Sequence, residues 1–180
     1  MNLYRVFPWD EDAAETELGG AFFVVDSDRN RISNLEYYTT LYLAGQPEAA
    51  IAEVLGHLLV WRTTSFQHPI GTLSLATYEL DDQAPIFELD DIDSLRSLNI
   101  ARPSRIITRD RDVTRRWALA IYQRGGNVGA RWWSYYNPQW SACGLWQRAG
   151  LTLCGRPEPL TIETPAVITA AQAISKQRIL

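Results

Sequence analysis

Histidine and cysteine are scarce in this 180-residue chain, with two of each. His57, His68, Cys143 and Cys154 fall at no spacing that suits a metal, so no metal site is expected. The two cysteines read as free thiols of a reducing cytoplasm, not as a disulfide. No apolar run reaches the roughly 18 residues of a membrane-spanning helix. Met1 to Asp12 carry no basic segment followed by an apolar one, so no secretion signal is expected and a cytoplasmic location follows. Positive charge is not in excess. Lys and Arg number 17 against 21 Asp and Glu, and the net charge of −4 argues against a basic nucleic-acid-binding face. Neither G-x-G-x-x-G after a strand nor G-x-x-x-x-G-K-[ST] occurs, so neither device holds a dinucleotide or a triphosphate. No G-x-S-x-G elbow is present, which leaves Ser134 without the scaffold of a serine hydrolase.

What the chain does have is an ordinary apolar fraction, 46%, and seven tryptophans, with Trp132, Trp133 and Trp140 close together. These rings read as core or rim packing. One domain over residues 1–180 is the default at this length. Strands are expected at 3–7, at the apolar run 21–25, and at 72–80, 86–89, 128–136, 151–154 and 160–162, while 41–43 is a further short apolar run. A helix is expected over 47–59, opened by Pro47, whose missing N–H is an orphan donor at that position anyway. A short helix should be capped by Asp90 or Asp91, with Ile92 and Leu95 inward. A longer one should run from its cap at Asp112 to Arg124, stopped by Gly125-Gly126. Its apolar face would be Val113, Trp117, Ala120 and Ile121, with Arg115, Arg116 and Arg124 solvated. The tail after Thr164 is rich in alanine and could be helical. Strands and helices are interspersed without a βαβ rhythm, so the expected class is α+β, a single domain with a central mixed sheet flanked by helices.

The stretch from Arg31 to Glu53 concentrates the chemistry. A polar loop with Arg31 and Asn34 leads into Leu41-Tyr42-Leu43, then a turn, then the first helix. Ile51, Leu55 and Leu58 form that helix's apolar stripe, and Glu53 lies about 200° around from Ile51. Its neighbours Ala49, Ala50 and Ala52 are small, so a ligand could approach the carboxylate closely. The bland alternative is a solvated helix glutamate. His57, one turn on, could pair with it. Arg5, in the first strand, is either a surface residue or an inward one in need of an anion or a carboxylate.

Taken in order, these segments resemble the RES-domain family, named for an Arg, a Glu and a Ser that recur in it. The resemblance covers roughly residues 3–153. Leu3-Tyr4-Arg5-Val6 is similar to the family's opening strand, and Asn30-Arg31-Ile32-Ser33-Asn34 with Leu41-Tyr42-Leu43 to its G-R-W-N…L-Y segment. Pro47 to Val54 resembles its A-x-x-E helix. Trp132-Trp133-Ser134-Tyr135-Tyr136, with Gly144-Leu145-Trp146 downstream, resembles its serine strand and the strand after it. Two departures stand out. Ala21 follows Gly19-Gly20 where an arginine would match, and Asn30 replaces the glycine before Arg31. The family arginine is therefore placed at Arg31, with Arg29 and Arg5 as substitutes.

The resemblance implies a fold akin to ADP-ribosyltransferase toxins, with NAD⁺ as substrate and no other cofactor. It implies the toxin of a bacterial toxin–antitoxin pair, held by an Xre-like antitoxin that covers the active site. The reaction would be cleavage of the nicotinamide–ribose bond by hydrolysis or phosphorolysis. ADP-ribosyl transfer to a protein and a non-catalytic binding module are the alternatives. Carried over residue by residue, Glu53, Arg31 and Ser134 would be catalytic, while Tyr42, Arg5 and Asn34 would contact the dinucleotide. The residue types suit that chemistry. The scissile bond breaks through an oxocarbenium-like state, which a carboxylate at Glu53 would stabilise. A guanidinium at Arg31 suits the pyrophosphate. Tyr42 could stack on the cationic nicotinamide, and Ser134 reads as a hydrogen-bond donor more than a nucleophile, with local backbone bonding as its plain alternative.

Overall fold

The computed structural model describes residues 1–28 and 30–179. Its elements run β1 (Asn2–Trp9), β2 (Leu41–Ala44), α1 (Pro47–Leu55), β3 (Val60–Arg62), β4 (Thr72–Leu80), β5 (Ile86–Glu88), α2 (Ile92–Ser97), α3 (Arg111–Arg124), β6 (Gly129–Trp133), β7 (Ser141–Leu145), β8 (Leu151–Leu153), β9 (Glu158–Pro159), α4 (Pro165–Ala173) and β10 (Gln177–Ile179). The main sheet has the order β5-β6-β7-β2-β1-β4-β8, with β9 also on β4. Only β5 and β6 pair in parallel within it, so the sheet is mixed and the domain is α+β, as expected. A separate parallel pair joins β10 to β3.

The alternation in β1 sorts its side chains between two faces. Leu3 and Phe7 join Leu41, Leu43, Tyr78, Leu80 and Leu145 in one apolar cluster. Tyr4 and Val6 face the other way, onto α1 and α4, with Ile51, Leu55 and Val167. A third cluster seats α2 and α3 on β6 and β7, through Leu95, Trp117, Ile121, Ala130 and Trp132. One feature of the pairing bears directly on the site. β1 is zipped to β4 over eight residue pairs, from Asn2↔Glu79 to Trp9↔Thr72, but touches β2 at the single pair Tyr4↔Ala44. The sheet is parted there, between its two halves.

Several expected boundaries move. The run 21–25 is not a strand; the carbonyls of Ala21 and Phe23 accept from the Arg5 side chain and not from a neighbouring strand. Its amides close turns instead, Phe22 N–H to Glu15 and Phe23 N–H to Gly20. The carbonyl of Ala21 accepts from the Tyr78 hydroxyl at 2.5 Å. Helix α1 ends at Leu55, four residues short of the expected end. A Cβ on Gly56 would lie 2.4 Å from the Ala52 carbonyl and 2.5 Å from the Tyr136 ring, so only glycine lets that ring close over the helix end. In α3 the cap is Asp110, not Asp112; its carboxylate accepts from the amides of Asp112 and Val113. The buried face is Thr114, Trp117, Ala118 and Ile121, and Arg115 is half-buried instead of solvated. The glycine stop holds, with Gly125 at φ +69°. Ile92 is 55% exposed, because α2 has only six residues and Leu95 already faces inward. Leu160 and Ile162 are buried in a loop, not in a strand. The tail forms α4 and adds β10, which no alternation had signalled.

Candidate active site

Where β1 and β2 part, a cleft of about 560 Å³ opens, within the ordinary range for a small-molecule site. Its walls come from β1, β2, α1, residues 24, 25, 27, 30 and 31 and the start of α3, and among the described residues the ionisable side chains on them are Tyr4, Arg5, Arg31, Tyr42, Glu53 and Arg111. Glu53 is the acidic one.

Glu53 arrives from the last turn of α1, on the side away from the Ile51–Leu55 stripe. The residue is exposed, because its end opens into the cleft. Exposure and depth are not in conflict here. The accessible surface belongs to a recess walled by protein, and the resulting desolvation pushes the carboxyl pKa up from 4.5. A hydrogen bond from Ser134 and the charges of Arg31 and Arg111 pull the other way and do not cancel it.

Ser134 Oγ donates to Glu53 Oε1 at 2.8 Å. The serine sits one residue past β6, not within it. Its own amide reaches the Trp140 carbonyl at 2.7 Å, and Oγ also accepts from the Tyr136 amide at 3.2 Å. These bonds fix the rotamer. Ser134 is 2% exposed and stands behind Glu53, outside the cleft wall, so it orients the carboxylate.

Arg31 lies on the opposite wall. Its Nη1 donates to the carbonyls of Ile106 at 3.0 Å and Thr108 at 2.9 Å, which ties the loop to the segment before α3. Burial lowers its pKa, with the nearby Arg111 charge adding to the effect and Glu53 opposing it. Tyr42 points from β2 into the same space. Its hydroxyl accepts from the Ile32 amide at 3.1 Å and lies 3.4 Å from Ser33 Oγ, so the ring is held in place, and burial raises its pKa.

The remaining expected residues divide. Arg5 edges the cleft, but its two terminal nitrogens are committed to the carbonyls of Ala21 at 2.8 Å and Phe23 at 2.7 Å. Its inward partner is backbone, neither an anion nor a carboxylate, and its role here is to hold the 21–25 segment whose Val24 and Val25 form part of the rim. Asn34 is not on the cleft wall. Its amide donates to Ile32 O, Tyr38 Oη and Arg115 O and so braces the 31–38 loop. Arg29 lies outside the described residues. His57 and His68 are exposed and away from the cleft. Among the described residues no three His, Cys, Asp or Glu side chains gather as a metal site.

The residue missed is Arg111. It stands just before the expected cap at Asp112, where no helix face is assigned to it; α3 in fact begins at Arg111, which lines the cleft, and its Nη1 is buried with no partner among the described residues. Thr40 was also unmarked; it lines the cleft with Oγ1 buried and unpartnered.

Residues 3–161 match the RES domain. The chain belongs to the RES-domain family. No curated protein sequence matches it. Among solved structures, its fold is similar to that of a chain in the M. tuberculosis MbcT–MbcA toxin–antitoxin complex, with a TM-score of 0.57 over 97% of this chain and 89% of that one. At 15% identity the likeness is one of fold. Within the RES match fall Arg31, Tyr42, Glu53 and Ser134, together with Arg111.

Proposed function

We propose that this RES-domain protein cleaves the nicotinamide–ribose bond of NAD⁺ and is the toxin of a toxin–antitoxin pair. The observation that carries the catalytic part is a lone carboxylate, Glu53, oriented by the Ser134 hydroxyl at 2.8 Å and set across one cleft from guanidinium groups. When the C–N bond breaks, its electron pair leaves with nicotinamide, which departs neutral, so no general acid is needed. The ribosyl carbon left behind is cationic, and Glu53 is the group placed to stabilise it. If water is the acceptor, it must lose a proton, and a carboxylate whose pKa is raised by its surroundings is the better base. Arg31 binds the pyrophosphate and Tyr42 packs on the nicotinamide ring. The cleft would thus hold the ligand in a fold akin to ADP-ribosyltransferase toxins.

Family membership and the fold shared with a chain of a toxin–antitoxin complex support the toxin part. An Xre-like antitoxin would then act by covering the cleft mouth. The deciding experiment is incubation of the purified protein with NAD⁺, with and without inorganic phosphate, and identification of the products. Free nicotinamide is expected from the wild type and none from Glu53→Gln. Absence of nicotinamide at every protein concentration overturns the reading in favour of a binding module. Label from NAD⁺ recovered on protein would instead assign ADP-ribosyl transfer.

A further inference from the structure

Arg111 has no task in the mechanism above, and its surroundings give it none in the empty protein. Its Nη1 is buried with no acceptor. Among the described residues the ion pairs of arginine are Arg96–Asp93, Arg131–Glu88 and Arg156–Glu11, so no arginine of the cleft has a carboxylate within pairing distance. Arg31 and Arg111 meet in one recess, near enough for each charge to be felt by the same acid, Glu53. A half-desolvated guanidinium left without an acceptor is expensive, and two of like charge facing one space are more so. A protein of net charge −4 has carboxylates to spare for neutralising such a pair, yet among the described residues the cleft walls carry only Glu53. The backbone does not explain the arrangement either. The first amides of α3 are already taken by Asp110, so what α3 offers the cleft is the side chain.

We infer that Arg111 and Arg31 together form a phosphoryl-binding subsite that grips the pyrophosphate of a dinucleotide from two sides, the start of α3 and the segment 30–34. Naming the dinucleotide rests on the proposed function; the anion subsite itself does not. A pyrophosphate spreads its charge over several oxygens and can accept from both guanidinium forks at once. Arg31 spends Nη1 on two carbonyls, which leaves the anchoring of the second phosphoryl group to Arg111. Arg111 is then a substrate-binding residue and affects KM more than kcat.

The test uses inorganic pyrophosphate as the probe, titrated calorimetrically into the full chain. The wild type is expected to bind it one to one, and Arg111→Ala to lose at least about tenfold in affinity. Arg116→Ala removes the same charge from the exposed side of the same helix and should stay within about twofold. If Arg111→Ala does not fold, as judged by its melting curve, Arg111→Lys carries the test, because it keeps the charge but loses the fork and should bind severalfold more weakly. Wild type that ignores pyrophosphate, an Arg111 variant that binds it as well as wild type, or an equal loss from Arg116→Ala overturns the inference. The two readings fail separately. Pyrophosphate binding lost with Arg111, in a protein that leaves NAD⁺ intact, keeps the subsite and removes the proposed function. NAD⁺ cleavage by Arg111→Ala with an unchanged KM does the reverse.

Discussion

The two arginines nearest the start of the chain, Arg5 and Arg31, sit on the same cleft in opposite conditions. Arg5 belongs to the aliphatic half of the molecule, where Leu3, Phe7, Leu43 and Tyr78 pack and where both of its terminal nitrogens have found carbonyls. Arg31 belongs to the half built by α3 and β6, and shares its recess with Arg111. The contrast extends to every buried polar atom without a partner among the described residues. Those of Thr40, Arg111, Arg115 and Trp117 all lie on the cleft or on α3, and none in the cluster around Leu3 and Leu80. A half whose polar groups are satisfied is there to be stable. In the other half two of the unmet groups, on Thr40 and Arg111, line the cleft, where a ligand could meet them, while those of Arg115 and Trp117 do not line it.

The sharpest way to test that division is to take Glu53 out of the cleft half. Glu53→Gln should lower the rate of NAD⁺ loss by roughly 10²–10³, the scale of removing one preorganised electrostatic group. Stability should move the other way. The folded protein holds the Glu53 proton more tightly than the unfolded chain does, since the pKa is raised on folding. Its contribution to stability is therefore present below the unfolded pKa and lost as pH rises through the folded one. At neutral pH the ionised carboxylate is a burden, so the Gln variant should melt no lower than wild type, and the difference should vanish in acid. A variant that loses activity and also melts lower at pH 7 would break the comparison.

Leu3→Ala is the matching change in the other half. Leu3 is fully buried but near a strand end, so about 2–3 kcal/mol of stability should go, toward the low side for a buried leucine. Chemical denaturation would show it, and KM for NAD⁺ should hold. A rise in KM would mean that the two halves are coupled across the parted strands.

What could be read from residue order follows the same division. The satisfied half was legible because its signals are local: alternation in β1, the continuous pattern of β4, and the proline that opens α1. Glu53, Arg31, Tyr42 and Ser134 could be marked as candidates because order and spacing resemble the RES family. Three things were not legible. The run 21–25 has the composition of a strand, but its carbonyls are met by the Arg5 side chain and not by a strand, which no local pattern signals. Arg5 and Asn34 look like ligand contacts, yet Arg5 donates to the carbonyls of Ala21 and Phe23, and Asn34 to Ile32, to the Tyr38 hydroxyl and to a carbonyl of α3. Arg111 is missed when the cap is placed two residues late. Asp110 and Asp112 are equally good caps by type; with Asp112 as cap Arg111 falls outside the helix, whereas with Asp110 as cap it is the first residue of α3, on the cleft wall.

Ser134→Ala tests how the cleft half holds its carboxylate. The hydrogen bond from Oγ favours ionised Glu53, so its loss should raise the Glu53 pKa further. The acid limb of the pH–rate profile should move to higher pH, and the rate at neutral pH should fall about tenfold. That is smaller than the effect of Glu53→Gln, because the serine only orients. An unchanged limb with the same rate loss would mean that Ser134 acts on the substrate itself.

The smallest effect expected is also the one that separates waiting for a ligand from mere imperfection. Thr40→Val replaces a buried, partnerless hydroxyl by a methyl group of the same shape. An unmet hydroxyl carries a desolvation cost, so the empty protein should gain about 1 kcal/mol, or roughly 2–4 °C in melting temperature for a chain of this size. If the hydroxyl has a bound partner, the same variant should lose stabilisation by the proposed substrate NAD⁺, and the gain in melting temperature should shrink as ligand is added. A gain that persists undiminished at saturating ligand would mark Thr40 as a packing defect, and would confine the unmet polarity that matters to the guanidinium groups.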